Sequence, residues 1–184
     1  FYGYNNIPVT LMRGQTTRGG YSAQESALWR WWMKEAGVQF IYIDPFNNFS
    51  SVKQADKWIA PRMGTHAALC EAIAYVWITE GTYDKDYIAT HAYGFDKFAA
   101  YVLGEEDGVP KTPKWASEKC GVKPWTIKAL ARHWAKKTTS ILHGNGGCYI
   151  RGPYATEPAR LEVMLLGMQG LGRPGVHQAK MIEW

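Results

Sequence analysis

Long apolar runs are missing from this sequence of 184 residues. No stretch approaches the ~20 consecutive apolar residues that a membrane-spanning helix needs, so no transmembrane segment is expected. Cysteine is scarce: Cys70, Cys120 and Cys148 are odd in number, widely spaced and without a C-x-x-C pair. That pattern provides no disulfide framework, zinc site or iron–sulfur ligand set within these residues, and no metal ligand is assigned among them. There is no G-x-G-x-x-G after the first strand candidate, which counts against a nicotinamide-dinucleotide enzyme. Acidic residues are outnumbered, and the formal net charge of +5 suits an anionic ligand without being a nucleic-acid signature. The chain opens on Phe1, with neither an initiator Met nor a charged-then-apolar leader, and is expected to be one domain, residues 1–184, excised from a longer chain. The expected location is cytoplasmic.

What is present is enough for a core. Apolar residues make up 46% and aromatics 14%, which excludes disorder, and the length suits one α/β domain. The run Val38–Ile43 is rich in β-branched and aromatic residues and reads as a buried strand. It stops at Asp44-Pro45, because Pro45 cannot donate to a sheet and biases Asp44 toward an extended conformation. A carboxylate at the carboxyl end of a buried strand stands where open α/β sheets bind ligands. Ionised, Asp44 can accept from a ribose diol or from guanine N1–H and N2–H; a turn former or helix cap is the plainer alternative.

In chain order, Phe1–Asn6 reads as the end of a strand entering a Gly/Asn loop, where glycine allows a backbone to approach a phosphate. Ser22-Ala23-Gln24-Glu25 is a capping box for a helix through Ala36, stopped by Gly37. Trp29, Trp32 and Met33 share a stripe of that helix and are expected to pack in the core and against another domain of the parent chain, with Trp31 pointing elsewhere. A short strand is expected at Lys57–Ala60. Thr65 is expected to cap a helix running to Glu80, apolar almost all round and therefore laid against the sheet, with Gly81 as its stop. Its N-terminus is a natural anion site, and His66 in the first turn could donate to a ligand carbonyl or merely pack. Helices are expected at Asp84–Ala92 and Phe95–Leu103, and Gly104–Lys114 is expected to be an exposed loop. A further helix starts at Pro124, with Ile127, Leu130, Ala131 and Trp134 as its apolar stripe and Lys128, Arg132 and Lys136 on a solvated opposite side, no nucleic-acid partner being expected. A strand at Thr139–His143, a glycine-rich loop and a helix from Thr156 to Gly170 complete the order.

Strands alternating with helices imply a Rossmann-like α/β fold: a largely parallel sheet with helices on both faces. Three loops, Gly3–Asn6, Asp44–Asn48 and Gly144–Tyr154, each follow a strand. In a parallel sheet they leave at one edge, which marks a ligand cleft there.

Asp44-Pro45, then Ala55-Asp56-Lys57-Trp58-Ile59, then Pro61-Arg62-Met63-Gly64-Thr65-His66-Ala67-Ala68-Leu69 resemble the dinucleotide-type domain of the molybdopterin oxidoreductases, the dimethyl sulfoxide reductase family. Its usual string looks like D-P-R, A-D-x-W/H-I/L, P-G-T-D-A-A-L. Phe46 stands where Arg is common and His66 where Asp is common, so one expected guanine-facing carboxylate is missing. The resemblance implies that Gly3, Tyr4, Asn5, Asp44, Pro45, Phe46, Gly64, Thr65, His66, Gly144, Gly146 and Gly147 bind cofactor. That cofactor would be bis(molybdopterin guanine dinucleotide) carrying molybdenum, or tungsten in some relatives. An iron–sulfur cluster is implied elsewhere in the parent chain or in an iron–sulfur partner subunit.

A second resemblance lies in Gly144–Tyr154 and in Met164-Leu165-Leu166-Gly167-Met168-Gln169-Gly170-Leu171-Gly172-Arg173-Pro174-Gly175, which look most like the phenol transhydroxylase branch. This implies hydroxyl transfer between phenols of the pyrogallol-to-phloroglucinol type, with no net redox change. Tyr154 first and Tyr149 second would be the acid–base group on a small phenolic substrate, and Arg151 would stabilise an oxyanion or bind pterin. Another oxidoreductase of the same family, acting on an oxyanion, a sulfoxide or formate, is the nearest alternative. A nicotinamide-dependent Rossmann enzyme, with Asp44 on a ribose, and a docking module rich in tryptophan are the others.

Overall fold

In the computed structural model, which describes residues 2–3, 23–45, 47, 49–143 and 154–180, five short strands make one sheet in the order β3-β2-β1-β4-β5. They are β1 (Tyr2–Gly3), β2 (Ile41–Ile43), β3 (Lys57–Ile59), β4 (Ile141–His143) and β5 (Gln178–Lys180). The pairs β1–β2, β1–β4 and β2–β3 are all parallel. Helices are α1 (Ala23–Glu35), α2 (Phe49–Gln54), α3 (His66–Glu80), α4 (Lys85–His91), α5 (Phe95–Leu103), α6 (Pro113–Cys120), α7 (Pro124–Ala135) and α8 (Thr156–Gly167). The fold is thus mixed α/β with parallel strands. The chain divides into two compact units: one of Phe1–Ala60, Ile141–Asn145 and Ala179–Trp184, and one of Pro61–Ser140 and Gly146–Gln178.

In the sheet unit, β2 is shorter than the apolar run that produces it. Phe40, Tyr42 and Ile43 are buried, but the backbone of Phe40 is held chiefly by Asp56, its carbonyl also accepting the N–H of Lys57 at the start of β3 at 3.3 Å. The Phe40 N–H donates to Asp56 Oδ2 at 2.7 Å, and its carbonyl accepts the Asp56 N–H at 2.8 Å. Val38 N–H closes the end of α1 by donating to the Met33 carbonyl. Gly37, at φ 85°, makes the turn between them.

The core packing expected of the α1 stripe is not found at Trp32 and Met33, and the contact expected with another domain of the parent chain lies outside this structure. Trp32 and Met33 are exposed, as is Trp31, whose indole N–H donates to Glu35 within the same helix; the Trp29 side chain lies outside the described residues. Helical spacing correctly grouped these residues but could not say whether anything covers them. The six-residue α2, with no apolar stripe in FSSVKQ, was not anticipated either.

The helical unit is organised around α3. Nine of its residues are buried, from His66 to Trp77, and it packs against α5, α6, α7 and α8. An all-round apolar helix was expected to lie on a sheet; its partners in this unit are four helices, which the same composition serves equally well. The Trp77 indole donates to the Ala131 carbonyl at 2.7 Å and meets Trp134 edge to face, with ring centroids 5.1 Å apart. Ile127, Leu130, Ala131 and Trp134, the stripe read from spacing, are all buried on α7.

The segment expected to be an open loop, Gly104–Lys114, is tighter than its composition suggested. Lys111 is 2% exposed, pairs with Asp107 at 2.5 Å, donates to the Val109 carbonyl, and sits 4.4 Å from the Tyr101 ring centroid. Directly after it, Thr112 caps α6 by accepting from Trp115 N–H, with Pro113 in the first helical turn. This Thr-Pro start is a legible signal that the sequence reading passed over.

Candidate functional site

The register of the parallel strands decides where the strand-end loops leave. Gly3 pairs with Tyr42 on one side and with Leu142 on the other, so the carboxyl ends of β2, β1 and β4 lie side by side. Gly3 and Asp44-Pro45 therefore share one edge of the sheet unit, as the βαβ order implied. The remaining residues assigned to these loops, Tyr4, Asn5, Phe46, Gly144, Gly146 and Gly147, lie outside the described residues, as do Tyr149 and Arg151.

Asp44 is 2% exposed. Its backbone is fixed twice by β3: its N–H donates to the Ile59 carbonyl at 3.1 Å, and its carbonyl accepts the Trp58 indole N–H at 3.0 Å. Asp56 holds the other end of β2 through Phe40 and also accepts from Lys34 Nζ at 3.0 Å. Desolvation tends to raise the Asp56 pKa, but the bonds from Phe40 N–H and Lys34 outweigh it and hold the carboxyl below its usual range. Asp56 and Trp58 were quoted above only as part of a string. The structure gives them a purpose: Trp58 fixes the end of β2 that carries Asp44, and Asp56 fixes the opposite end.

Gly64, Thr65 and His66 open the helical unit. Gly64 turns at φ 77°, the left-handed region that glycine enters without strain. Thr65 stands at the N-cap of α3 but makes no capping bond with its side chain; its hydroxyl donates to the Arg62 carbonyl at 2.6 Å. Arg62 in turn donates from its guanidinium to the carbonyls of Glu118 and Lys119, closing the C-terminus of α6. The turn before α3 is thereby pinned to α6. His66 is 1% exposed, and burial pushes its pKa down to about 4, so the imidazole is neutral at pH 7. A neutral imidazole has one N–H to donate and one ring nitrogen to accept.

Tyr154 stands just before α8 with its ring 84% exposed and its backbone at φ 57°. A tyrosine in that region is uncommon and costs on the order of 1 kcal/mol. Its carbonyl accepts the Glu157 N–H at 3.0 Å, which helps hold the conformation. Among the described residues no group of three or more His, Cys, Asp or Glu side chains is arranged to hold a metal ion. No described helix is long and apolar enough to cross a membrane.

Known proteins similar to the chain agree on one family. The large subunit of pyrogallol hydroxytransferase from Pelobacter acidigallici is 46% identical over 166 residues, covering 88% of this chain and 19% of that protein. The dimethyl sulfoxide/trimethylamine N-oxide reductase of Rhodobacter capsulatus is 38% identical over 112 residues, covering 61% of this chain and 14% of the relative. The chain is a homologue of the molybdopterin oxidoreductases of the dimethyl sulfoxide reductase family. A trimethylamine-N-oxide reductase from Vibrio cholerae is 36% identical over 142 residues, 75% of this chain and 17% of the relative. No protein-family model matches. Among solved structures, acetylene hydratase from Pelobacter acetylenicus is similar over 53% of this chain and 12% of that one, at 28% identity and a TM-score of 0.46, a likeness too slight to establish the fold. The chain spans about a fifth or less of the length of these curated relatives.

Membership of this molybdopterin family implies a molybdenum cofactor, and the residues present are chemically suited to one. A side-chain-free Gly3 sits at the centre of the strand-end edge, with the buried acceptor Asp44 beside it. In the other unit, the N-terminus of α3, the positive end of a helix dipole, carries the neutral imidazole of His66.

Proposed function

We propose that the chain is the part of a molybdenum or tungsten enzyme that binds one bis(molybdopterin guanine dinucleotide) pterin arm, in a Rossmann-like sheet with helices on both faces. The enzyme would transfer a hydroxyl group between phenols. The observation that carries this reading is the 46% identity over 166 residues to a pyrogallol hydroxytransferase large subunit. The strand order β3-β2-β1-β4-β5, with the ends of β2, β1 and β4 together, supports it, since open parallel sheets bind ligands at their carboxyl strand ends. The proposed location is cytoplasmic, and the proposed partners are other domains of the parent chain and a companion subunit bearing the iron–sulfur centre.

Gly3, Tyr4 and Asn5 would admit the dinucleotide phosphates to the backbone. Asp44 would accept from the guanosine end, with Pro45 and Phe46 shaping the turn, and Gly64, Thr65 and His66 would make a second set of contacts. His66 replaces the carboxylate usual in the family, and the substitution changes the chemistry. A carboxylate only accepts; a neutral imidazole can also donate to a purine carbonyl or N7. The loop containing Gly144, Gly146, Gly147, Tyr149 and Arg151, ending at Tyr154, would line the substrate pocket. A tyrosine hydroxyl there would exchange a proton with the phenol, and Arg151 would stabilise a phenolate oxygen. When bound, the metal supplies Lewis-acid polarisation of the substrate oxygen.

Metal and nucleotide analysis of the purified parent protein tests the reading. Molybdenum or tungsten together with released guanine nucleotide is expected, along with conversion of pyrogallol to phloroglucinol; bound nicotinamide, or neither metal, would overturn it. The 38% identity to a dimethyl sulfoxide/trimethylamine N-oxide reductase favours sulfoxide or N-oxide reduction as the second reading, which the same metal analysis followed by assay with those acceptors would reveal.

A further inference from the structure

Positive charge in this chain is concentrated in one segment. Between Lys111 and Lys137, eight residues are Lys or Arg and only Glu118 is acidic, while the remainder of the chain is net acidic. Within that segment, Trp125, Lys128, Arg132 and Lys136 recur at helical spacing along α7 and its C-cap, and all four are exposed, Trp125 at 65%. They lie opposite the buried Ile127, Leu130, Ala131 and Trp134, so they form one outward stripe of ~17 Å, about eleven helical rises of ~1.5 Å each. Lys123 places its ammonium 5.1 Å from the Trp125 ring centroid.

Two of these eight cations are neutralised, Lys111 by Asp107 and Arg132 by Glu80. Arg132 is held bidentately by Glu80. Among the described residues, Lys114, Lys119, Lys123, Lys128, Lys136 and Lys137 take part in no salt bridge. Like charges gathered without counter-charges repel one another, and an anionic partner relieves that repulsion. At the C-terminal end of the stripe lies a groove of about 560 Å³, lined among others by Lys136, Lys137, Thr138, Gln169 and Arg173, which gives the stripe a recess in which a side chain can seat.

We propose that this stripe is a docking surface for the acidic face of a protein partner, the companion subunit of the enzyme proposed above. The inference rests on that reading and deepens it. A single exposed tryptophan flanked by cations is the composition of a protein-interface anchor, since Trp and Arg are enriched at interface hot spots and a charged surround sets register and on-rate. Nucleic acid fits less well: three cations over ~17 Å neutralise few phosphates, and one aromatic ring makes no stacking platform. An anionic membrane fits less well again, because the apolar side of α7 is already consumed in the core.

The test uses the parent holoenzyme co-produced with its companion subunit. Lys128→Glu/Lys136→Glu and Trp125→Ala are compared with wild type and with Lys97→Glu, an exposed lysine on α5, as control. Companion affinity is measured against salt concentration, and metal content and thermal melting are followed in each variant. The double reversal is expected to weaken companion binding at least tenfold with metal content and melting unchanged, the control to match wild type, and wild-type affinity to fall as salt rises. Unchanged affinity in the double variant overturns the proposal. So does a parent protein that carries its metal without any acidic polypeptide partner, or one in which the reversal alters only retention of RNA or anionic vesicles. A parent protein lacking the metal would instead overturn the cofactor reading, a result distinct from each of these.

Discussion

Two buried titratable residues carry separable expectations. Asp44→Ala removes a 2% exposed acceptor whose backbone Trp58 and Ile59 fix in place. If it faces ligand donors, a charged hydrogen bond is worth about 1.5–3 kcal/mol, so cofactor retention in the parent protein should fall on the order of 10- to 150-fold. Metal and guanine content after gel filtration reads this directly, and full retention would make Asp44 a turn residue. His66 gives a pH signature. Its folded pKa of about 4 lies below the ordinary histidine value near 6.5. Between those two values the unfolded chain binds a proton that the folded chain does not. Stability should therefore be fully present above about pH 6.5 and decline as the pH falls toward 4, by up to about 3 kcal/mol. His66→Asn should flatten that acid limb in melts run across the window; an unchanged limb would mean that His66 is not the group responsible. The family resemblance set His66 against a position where a carboxylate is usual. It could not show the burial that fixes its protonation state, because burial depends on what α3 packs against.

Elements were legible where a cap or a period announced them. Gly37, Gly81 and Pro124 ended or began helices as read, and the α7 stripe was buried residue for residue. Segments without a period failed: α2 is under two turns of mostly polar sequence, and α6 begins at the end of the Gly104–Lys114 stretch read as loop and runs on through residues to which no element was assigned. Gly104 shows how closely that stretch is held. It ends α5 at φ 84°, and a Cβ there would stand 2.4 Å from the Pro110 backbone nitrogen. Gly104→Ala should thus cost about 2–4 kcal/mol, by combining left-handed strain with a backbone clash, and should lower the melting temperature of the parent chain. Gly108→Ala, with the same sign of φ but nothing within 4 Å, should cost less. At the loop before α8, Tyr154→Phe and Tyr149→Phe should differ sharply in turnover. Loss of the acid–base hydroxyl costs ~10²–10⁴, while the other change should be nearly neutral, both with metal retained. If both variants turn over normally, the proton donor lies outside this loop.

For the whole molecule, a cofactor bound only by the folded chain must stabilise it by mass action, by about 4 kcal/mol at a thousandfold excess over its dissociation constant. Cofactor-depleted parent protein should accordingly melt several degrees lower than the loaded form, and equal melting temperatures would argue that these units are complete without it. The parallel order was readable from alternating strands and helices, whereas the division into two units was not, since no composition shift marks Pro61 or Ser140. That division has a consequence for how the chain matures. β1 is flanked by β2 and β4, yet Tyr2 and its partner Ile141 are separated by the entire Pro61–Ser140 helical segment. At ~5–20 residues per second, a ribosome takes roughly 7–28 s to deliver β4 after β1. Local helical contacts form far faster than that, and pairing between such distant segments is the slow step. On the ribosome helices α3 to α7 of the second unit would therefore settle while one edge of β1 still waits for its neighbour. The strand-end edge is finished only when β4 arrives, so a cofactor bound there, as proposed above, would be loaded only late in biosynthesis.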